Sequence, residues 1–155
     1  MPSFRSIDAS MARLVDKGAP SHDPLYGSPA IERSDHIQIV DAARVAEAIT
    51  ILREVAQWLI DRGLGHWSGD EFNRQDFLTA AHVGELVIGF EGEIAAAVMF
   101  LQSVDPLYWP TEPSGAALYL HKLAVRRASA GRHWSHRMIE WATRQARARC
   151  LAPAP

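Results

Sequence analysis

The spacing of apolar residues along the chain predicts a short first strand followed by a long helix. Residues 1–34 place several glycines and prolines between short polar runs, which predicts an irregular tail. Apolar and polar residues then alternate over 36–40, as they do in a half-buried strand. From Val45 to Ile60 the apolar residues recur with the period of an α-helix, which predicts an amphipathic helix.

Polar residues and a glycine mark the ends of the first helices. Asp41 lies where a helix N-cap is expected, and Gly63 suits the position after the last helical turn. Either Ser68 or Asp70 is expected to cap a second helix that continues to His82. We therefore expect two consecutive helices with a short connection between them.

The second half of the chain predicts a hairpin, a further strand and a last helix. Residues 84–90 and 94–101 are mainly apolar runs on either side of Gly92, which suits a tight turn between antiparallel strands. After a proline-containing loop, a strand is predicted over 116–125 and an amphipathic helix over 132–149. The complete order, β-α-α-β-β-β-α, predicts an α+β fold with a central, mostly antiparallel sheet flanked by helices.

Periodicity also predicts which side chains share a face. In the strand over 116–125, one face is expected to carry Ala117, Tyr119, His121, Leu123 and Val125. The tryptophans Trp58, Trp134 and Trp141 occupy positions at helical spacing within the predicted helices, so we expect all three in the core.

Length and composition favour one cytoplasmic domain. The chain has 155 residues, of which 48% are hydrophobic and 22% are charged, as in ordinary globular domains. Its formal net charge of −2 gives no reason to expect a nucleic acid as partner. Cys150 is the single cysteine, which excludes an internal disulfide. No apolar run reaches the roughly 18 residues of a membrane span, and residues 1–17 lack the pattern of a signal peptide.

Arginines are concentrated where an apolar strand leads through a glycine-containing turn into the last helix. They are Arg126, Arg127, Arg132, Arg137, Arg144, Arg147 and Arg149. The first N–H groups of a helix have no partner within it and favour an anion, to which Arg126, Arg127 and Arg132 would add charge-assisted hydrogen bonds. The cluster fits a site for a small phosphorylated ligand, and it fits a solvated arginine-rich helix face equally well.

The segment where this strand meets the last helix resembles a known cofactor-binding motif. It reads Leu-His-Lys-Leu-Ala-Val-Arg-Arg over residues 120–127, followed by Ala-Gly-Arg over 130–132. This sequence is similar to the acetyl-CoA-binding motif of the GNAT superfamily of N-acetyltransferases. The resemblance covers about residues 36–149 and implies acetyl-CoA as cosubstrate. It implies a GNAT-like domain over 35–150, between a tail of residues 1–34 and a short tail of residues 151–155.

The resemblance also assigns residues to the cosubstrate. Those that it implies in acetyl-CoA binding are Leu123, Ala124, Val125, Arg126, Arg127, Gly131, Arg132, His133, Trp134 and Ser135. In the family the strand backbone pairs with the pantetheine arm, the N–H at Val125 polarises the thioester carbonyl, and the turn presents N–H groups to the pyrophosphate. The family pattern has a central glycine where this chain has His133, which implies weaker binding or, for a protonated ring, a direct pair with phosphate.

Acyl transfer to an amine also needs a base that takes the amine proton. In the region that corresponds to the general base of the family, this chain has Tyr119 and His121. The pattern is equally consistent with His121 as a histidine that is simply packed within the strand. The resemblance places His66 and Trp67 beside the acceptor pocket. An equal alternative for Trp67 is a purely structural role, in which its ring fills the junction between the first two helices. No metal site is indicated, because the histidines lack the spacing of known ligand motifs and the single cysteine has no partner.

The leading interpretation is an enzyme that transfers an acetyl group from acetyl-CoA to a primary amine of a small molecule or peptide. Two alternatives are a non-catalytic acyl-CoA-binding or interaction module and an inactive fragment of a truncated gene. The family continues beyond its cofactor helix with a strand, a helix and two more strands, about 40 residues at usual element lengths. We therefore expect the domain to be incomplete at its C-terminus, with an open sheet edge that offers a surface for a homodimer.

Overall fold

The central element is a four-stranded antiparallel sheet with strand order β1-β2-β3-β4. The structure, a computed structural model, describes residues 35–65, 67–68 and 71–150. Its elements are β1 (Asp35–Ile39), α1 (Val45–Asp61), α2 (Arg74–His82), β2 (Leu86–Glu91), β3 (Ile94–Gln102), β4 (Tyr119–Val125) and α3 (Trp134–Cys150). This is the predicted β-α-α-β-β-β-α order, so the α+β fold is confirmed. The two predicted tails, 1–34 and 151–155, lie outside the described residues.

The sheet buries side chains on both of its faces, because helices pack against each side. The core beneath α1 and α2 includes Leu52, Phe77, Ile88 and Val98, and the core beneath α3 includes Val87, Met99, Trp134 and Met138. Adjacent strand residues such as Val87 and Ile88 therefore belong to different cores, as the two-residue period of a strand requires. The two cores hold β4 between α1 on one side and α3 on the other.

The sheet and α3 approach each other closely at Gly89 on β2. A Cβ atom added to this glycine would lie 2.4 Å from Cζ3 of Trp134 and 3.1 Å from Sδ of Met138. These distances leave no room for a side chain, so the contact between helix and sheet depends on glycine at this position. The first turn of α3 therefore packs directly against the sheet at this glycine.

The structure confirms one predicted helix end and corrects the start of α2. Gly63 follows α1 with φ +69°, so it ends the helix as expected. The N-cap of α2 is Asn73, whose side chain accepts a hydrogen bond from Gln75 N–H at 2.8 Å. The prediction of Ser68 or Asp70 as this cap is wrong, because an asparagine nearer to the apolar run takes the first-turn N–H.

A β-bulge interrupts β4. His121 lies opposite Phe100 on β3, and Ala124 lies opposite residue 98. Two residues of β4, Lys122 and Leu123, therefore share the place opposite a single residue of β3, which is the definition of a bulge. Lys122 has φ +51°, a backbone conformation that is uncommon for a residue with a Cβ atom. Both the pairing of β4 with β3 and the backbone conformation of Lys122 therefore identify the bulge.

The bulge overturns the prediction of a single face along this strand. His121 lies on the side of the core beneath α1 and α2, as does Tyr119 two residues earlier, whereas Leu123 and Val125 pack against the core beneath α3. Ala117 precedes β4 altogether. The physical reason is that one extra residue reverses the alternation of side chains beyond it.

The three tryptophans expected in the core differ in their environments. Trp134 is only 1% exposed, and Trp141 packs against the same core. Trp58 is partly exposed, and its ring contacts the guanidinium groups of Arg62 and Arg127 at 4.3 Å and 4.0 Å from the ring centroid. The prediction of Trp58 as a core residue is therefore wrong, since two cations cover its ring instead of apolar side chains.

Candidate functional site

The connection between β4 and α3 is a sharply bent turn with two left-handed residues. Arg126 N–H donates to the Ala96 carbonyl at 2.8 Å, which extends the pairing with β3 one residue beyond β4. Gly131 has φ +82° and His133 has φ +60°, and α3 begins immediately afterwards at Trp134. The first N–H groups of α3, which have no partner within the helix, therefore follow directly after this turn.

His133 occupies a backbone conformation that glycine adopts without strain. Its φ of +60° costs a residue with a Cβ atom about 1–2 kcal/mol. This is the position at which the resemblance expects a glycine, and the backbone is left-handed there although the residue is histidine. A Cβ atom at Gly131, by contrast, would meet no atom within 4 Å, which makes the space beside the turn open.

Replacing His133 with glycine is expected to tighten acetyl-CoA binding about fivefold. The change removes a side chain whose ordering on binding would cost about 1 kcal/mol. Isothermal titration of His133→Gly and wild type with acetyl-CoA measures the difference. His133→Asn is the matched control, because asparagine tolerates this conformation but keeps a side chain. Weaker binding by His133→Gly would instead identify the imidazole as a phosphate ligand.

The carboxylate of Glu91, at the end of β2, anchors the start of α3. Oε1 accepts a hydrogen bond from Trp134 Nε1–H at 2.7 Å, and Oε2 accepts one from the Arg132 guanidinium at 2.7 Å. Arg132 is thus ion-paired within the protein. The ring of Trp134 points into the core, so its backbone N–H is the group that it can offer to a ligand.

Two further arginines flank the turn on the side of α1. The backbone N–H of Arg127 donates to Glu54 Oε1 at 2.7 Å, while its guanidinium lies over Trp58. The Nε atom of Arg126 is buried and has no hydrogen-bond partner within the described part of the chain. Arg126 therefore brings an unused donor to the turn, as a site for an anionic group requires.

The outer edge of β4 presents backbone groups away from the sheet. Consecutive N–H groups of a strand point in opposite directions, and Arg126 N–H is directed at β3. Val125 N–H therefore points to the outer edge of β4, where the described residues contribute no further strand. This edge therefore offers backbone donors and acceptors up to Val125, where the turn begins.

Aromatic rings connect the end of α1 to the middle of β4. Trp67 packs edge to face on Phe72, with ring centroids 6.1 Å apart, and Phe72 packs in the same way on Phe77 at 6.4 Å. Phe77 in turn contacts Phe100 at 5.0 Å, and Phe100 lies opposite His121. The structure therefore brings the predicted acceptor-pocket residue Trp67 and the predicted base His121 to the same side of the sheet.

Lys122, a residue that the sequence did not single out, lies beside this aromatic group. Its ammonium nitrogen is 5.9 Å from the ring centroid of Trp67 and 5.9 Å from that of Phe72. His121 and Lys122 are consecutive, and strict alternation would place their side chains on opposite faces of the sheet. Because of the bulge, Lys122 instead lies near the rings of Trp67 and Phe72, on the same face as His121.

Asp105, in the loop between β3 and β4, is the second residue that the sequence did not reveal. Its Oδ2 lies 3.3 Å from Nε2 of His121, and the two side chains are 4% and 16% exposed. Oδ1 accepts a hydrogen bond from Tyr108 N–H at 3.2 Å. The only sequence signal was an acidic residue between Val104 and Pro106, which is too common in loops to indicate a site.

The sequence has a relative among curated proteins. It is 36% identical over 129 residues to the uncharacterized N-acetyltransferase YesJ of Bacillus subtilis (strain 168). The alignment covers 77% of this chain and 64% of that protein, so the chain spans less than two thirds of its relative. No family model matches the sequence.

The fold has counterparts among solved structures. An acetyltransferase of the GNAT family from Listeria monocytogenes superposes with a TM-score of 0.65 at 20% identity, over 76% of this chain and 72% of the other. The described residues therefore have the fold of the GNAT acetyltransferases. A second GNAT-like structure, the PaiA N-acetyltransferase of Thermoplasma acidophilum in complex with coenzyme A, has a TM-score of 0.60 at 10% identity, over 76% and 75% of the two chains.

One predicted site residue, Tyr119, lies apart from the turn between β4 and α3. Tyr119 is buried at the start of β4, the end of the strand farthest from the turn. His66 lies outside the described residues, so its predicted contact with the acceptor stays a prediction. In contrast, the implied cosubstrate residues from Leu123 to Ser135 form one stretch of strand, turn and helix.

The described residues contain neither a cluster of metal-ligating side chains nor a helix suited to cross a membrane. Across the described ranges, three or more histidine, cysteine, aspartate or glutamate residues nowhere group closely enough to hold a metal ion. Of the helices in the described part of the chain, none has both the length and the apolar character needed to cross a membrane.

Proposed function

We propose that the chain is an N-acetyltransferase that moves an acetyl group from acetyl-CoA to a primary amine of a small molecule or peptide. The observation that carries this proposal is the turn between β4 and α3. Its left-handed Gly131 and His133 lead directly into α3, whose first N–H groups have no partner within the helix, in a chain with the GNAT fold. The names of YesJ and the PaiA structure add support, because both are N-acetyltransferases.

The residues around the turn fit coenzyme A as a ligand. Pyrophosphate suits the N–H groups at the start of α3 and the buried Arg126 Nε, which lacks a partner among the described residues. The amides of the pantetheine arm suit the outer edge of β4, in the way that a peptide adds to a sheet. When bound, acetyl-CoA supplies an acetyl group activated as a thioester.

The proposed reaction is nucleophilic acyl substitution. The neutral amine attacks the acetyl carbonyl carbon, so a C–N bond forms and the C–S bond breaks. The amine proton passes to the His121 imidazole, and the thiolate of the leaving group takes a proton from solvent. Val125 N–H, at the outer edge of β4, donates to the carbonyl oxygen as negative charge develops there. His121 and the wall at Trp67 lie on the same face of the sheet, where the amine would enter.

Thiol release tests this proposal. The chain is incubated with acetyl-CoA and a panel of primary amines, and free thiol is followed with a colorimetric reagent. We expect release that depends on both the amine and the protein. A thermal-unfolding titration with CoA runs in parallel, and a ligand at 100 times its Kd should stabilise the chain by about 2.7 kcal/mol. Stabilisation without turnover would support an acyl-CoA-binding module, and neither effect would support an inactive fragment.

A further inference from the structure

Two neighbouring carboxylates hold the start of α3 against the sheet. Asp35 on β1 lies opposite Glu91 at the end of β2 in the antiparallel pairing. Asp35 accepts a hydrogen bond at 2.9 Å from the guanidinium of Arg137, which lies about one turn into α3. Glu91 accepts one hydrogen bond from Trp134 Nε1–H and one from the Arg132 guanidinium, each at 2.7 Å. The proposed reaction gives neither carboxylate a role.

The ring of Trp134 is confined by these groups and by the sheet. A Cβ atom at Gly89 would lie 2.4 Å from Cζ3 of the ring, so the sheet closes one side. The guanidinium carbon of Arg137 lies 3.9 Å from the ring centroid, and Glu91 accepts the ring N–H. Because Trp134 is the first residue of α3, a fixed ring also fixes the rotation of the helix about its axis. That rotation determines where the first helical N–H groups point.

Glu91 also determines what Arg132 does at the turn. The side chain of Arg132 is 59% exposed, whereas that of Glu91 is 19% exposed. Their contact of 2.7 Å has the length of a charge-assisted hydrogen bond, and it is formed without a ligand. With its charge compensated in this way, Arg132 ties the turn to β2 and has less to offer a phosphate group than an unpaired arginine would.

We propose that Glu91 is a positioning residue for the cosubstrate, which through Trp134 and Arg132 fixes the turn and the first N–H groups of α3 for the pyrophosphate of acetyl-CoA. The inference rests on the proposed function, in which this turn binds the pyrophosphate. Arg132 accordingly acts through Glu91 and is not a direct phosphate ligand. The sign of one effect separates the two roles. If charge alone mattered, removal of the negative charge of Glu91 would strengthen the binding of an anion, whereas loss of positioning weakens it.

Isothermal titration of Glu91→Gln with acetyl-CoA tests this role, because glutamine keeps the shape of the side chain but removes the charge that pairs with Arg132. We expect binding to weaken about tenfold, since the members of one hydrogen-bond network are energetically coupled. In the Glu91→Gln background, Arg132→Gln should cause no further loss. Glu93→Gln is the matched control, because this acid lies in the turn after β2 with a side chain that is 92% exposed, and its replacement should leave the affinity unchanged.

Amide hydrogen exchange supplies a readout that needs no ligand. The hydrogen bond from Arg137 N–H to the His133 carbonyl, 3.0 Å long, closes the first turn of α3. In Glu91→Gln this N–H should exchange about tenfold faster relative to amides in the middle of α3, because the first turn opens locally. Glu93→Gln should leave it unchanged. A general loss of stability would instead accelerate both regions alike, so the ratio separates positioning from a merely structural role.

Unchanged or tighter binding by Glu91→Gln would overturn the inference, as would unaltered relative exchange at Arg137. A further loss from Arg132→Gln in the Glu91→Gln background would assign Arg132 directly to the phosphate and overturn it as well. Absence of acetyl-CoA binding in the wild type would contradict the proposed function itself, while the exchange ratio would still decide whether Glu91 holds the turn. If Glu91→Gln does not fold, Trp134→Phe removes the N–H that Glu91 accepts, and it should show the same weakening and the same faster exchange.

Discussion

Replacing Trp134 with alanine is expected to lower the free energy of unfolding by about 3–5 kcal/mol. The side chain is 1% exposed and packs on Gly89 and Met138, so its removal leaves a cavity between α3 and the sheet. The change also removes the N–H that donates to Glu91 at 2.7 Å, and the partly buried carboxylate then keeps only its bond to Arg132. Urea unfolding followed by circular dichroism measures the loss.

Two controls separate the cavity from the lost hydrogen bond. Trp134→Phe keeps most of the ring volume but removes the N–H group, and we expect it to cost about 1–3 kcal/mol. Gly89→Ala should destabilise the wild type by about 1–3 kcal/mol, because its Cβ atom would lie 2.4 Å from Cζ3 of Trp134. In the Trp134→Ala background the same methyl group enters the cavity and should cost little. An equal cost in both backgrounds would contradict the packing described here.

The order of helices and strands could be predicted from the sequence because local patterns determine it. The 3.6-residue period over α1 and the apolar runs on either side of Gly92 are properties of neighbouring residues, and the structure contains both elements. The left-handed conformation of Gly63 and Gly92 likewise follows from their own lack of a side chain. The motif at the end of β4 was recognisable for the same reason, since its strand, turn and helix are contiguous.

The features that could not be predicted depend on residues distant in sequence. The bulge at Lys122 is defined by which residues of β3 lie opposite β4, and no pattern within β4 reveals that pairing. The contact between Asp105 and His121 requires the loop after β3 to fold back over the strand. The start of α2 was misplaced for a different reason: several polar residues could cap it, and Asn73 is the one that does.

Binding of the acetyl-CoA pyrophosphate at the first turn of α3 is the central part of the proposed function. Ser135 is exposed in that turn, one residue after Trp134. An aspartate there favours the helix, since a negative charge near the N-terminus stabilises it by about 0.3–1 kcal/mol. The same carboxylate would repel a phosphate group and compete for the same N–H groups. Stability and ligand affinity should therefore change in opposite directions.

Isothermal titration of Ser135→Asp with acetyl-CoA, alongside Ser135→Asn as a neutral variant of the same shape, is the most direct measurement. We expect Ser135→Asp to bind on the order of 100-fold more weakly than wild type, a difference of about 2.7 kcal/mol, while it unfolds at an equal or higher urea concentration. Ser135→Asn should stay close to wild type in both respects. Unchanged affinity in Ser135→Asp, in a folded protein that binds acetyl-CoA, would place the cosubstrate elsewhere and contradict the account.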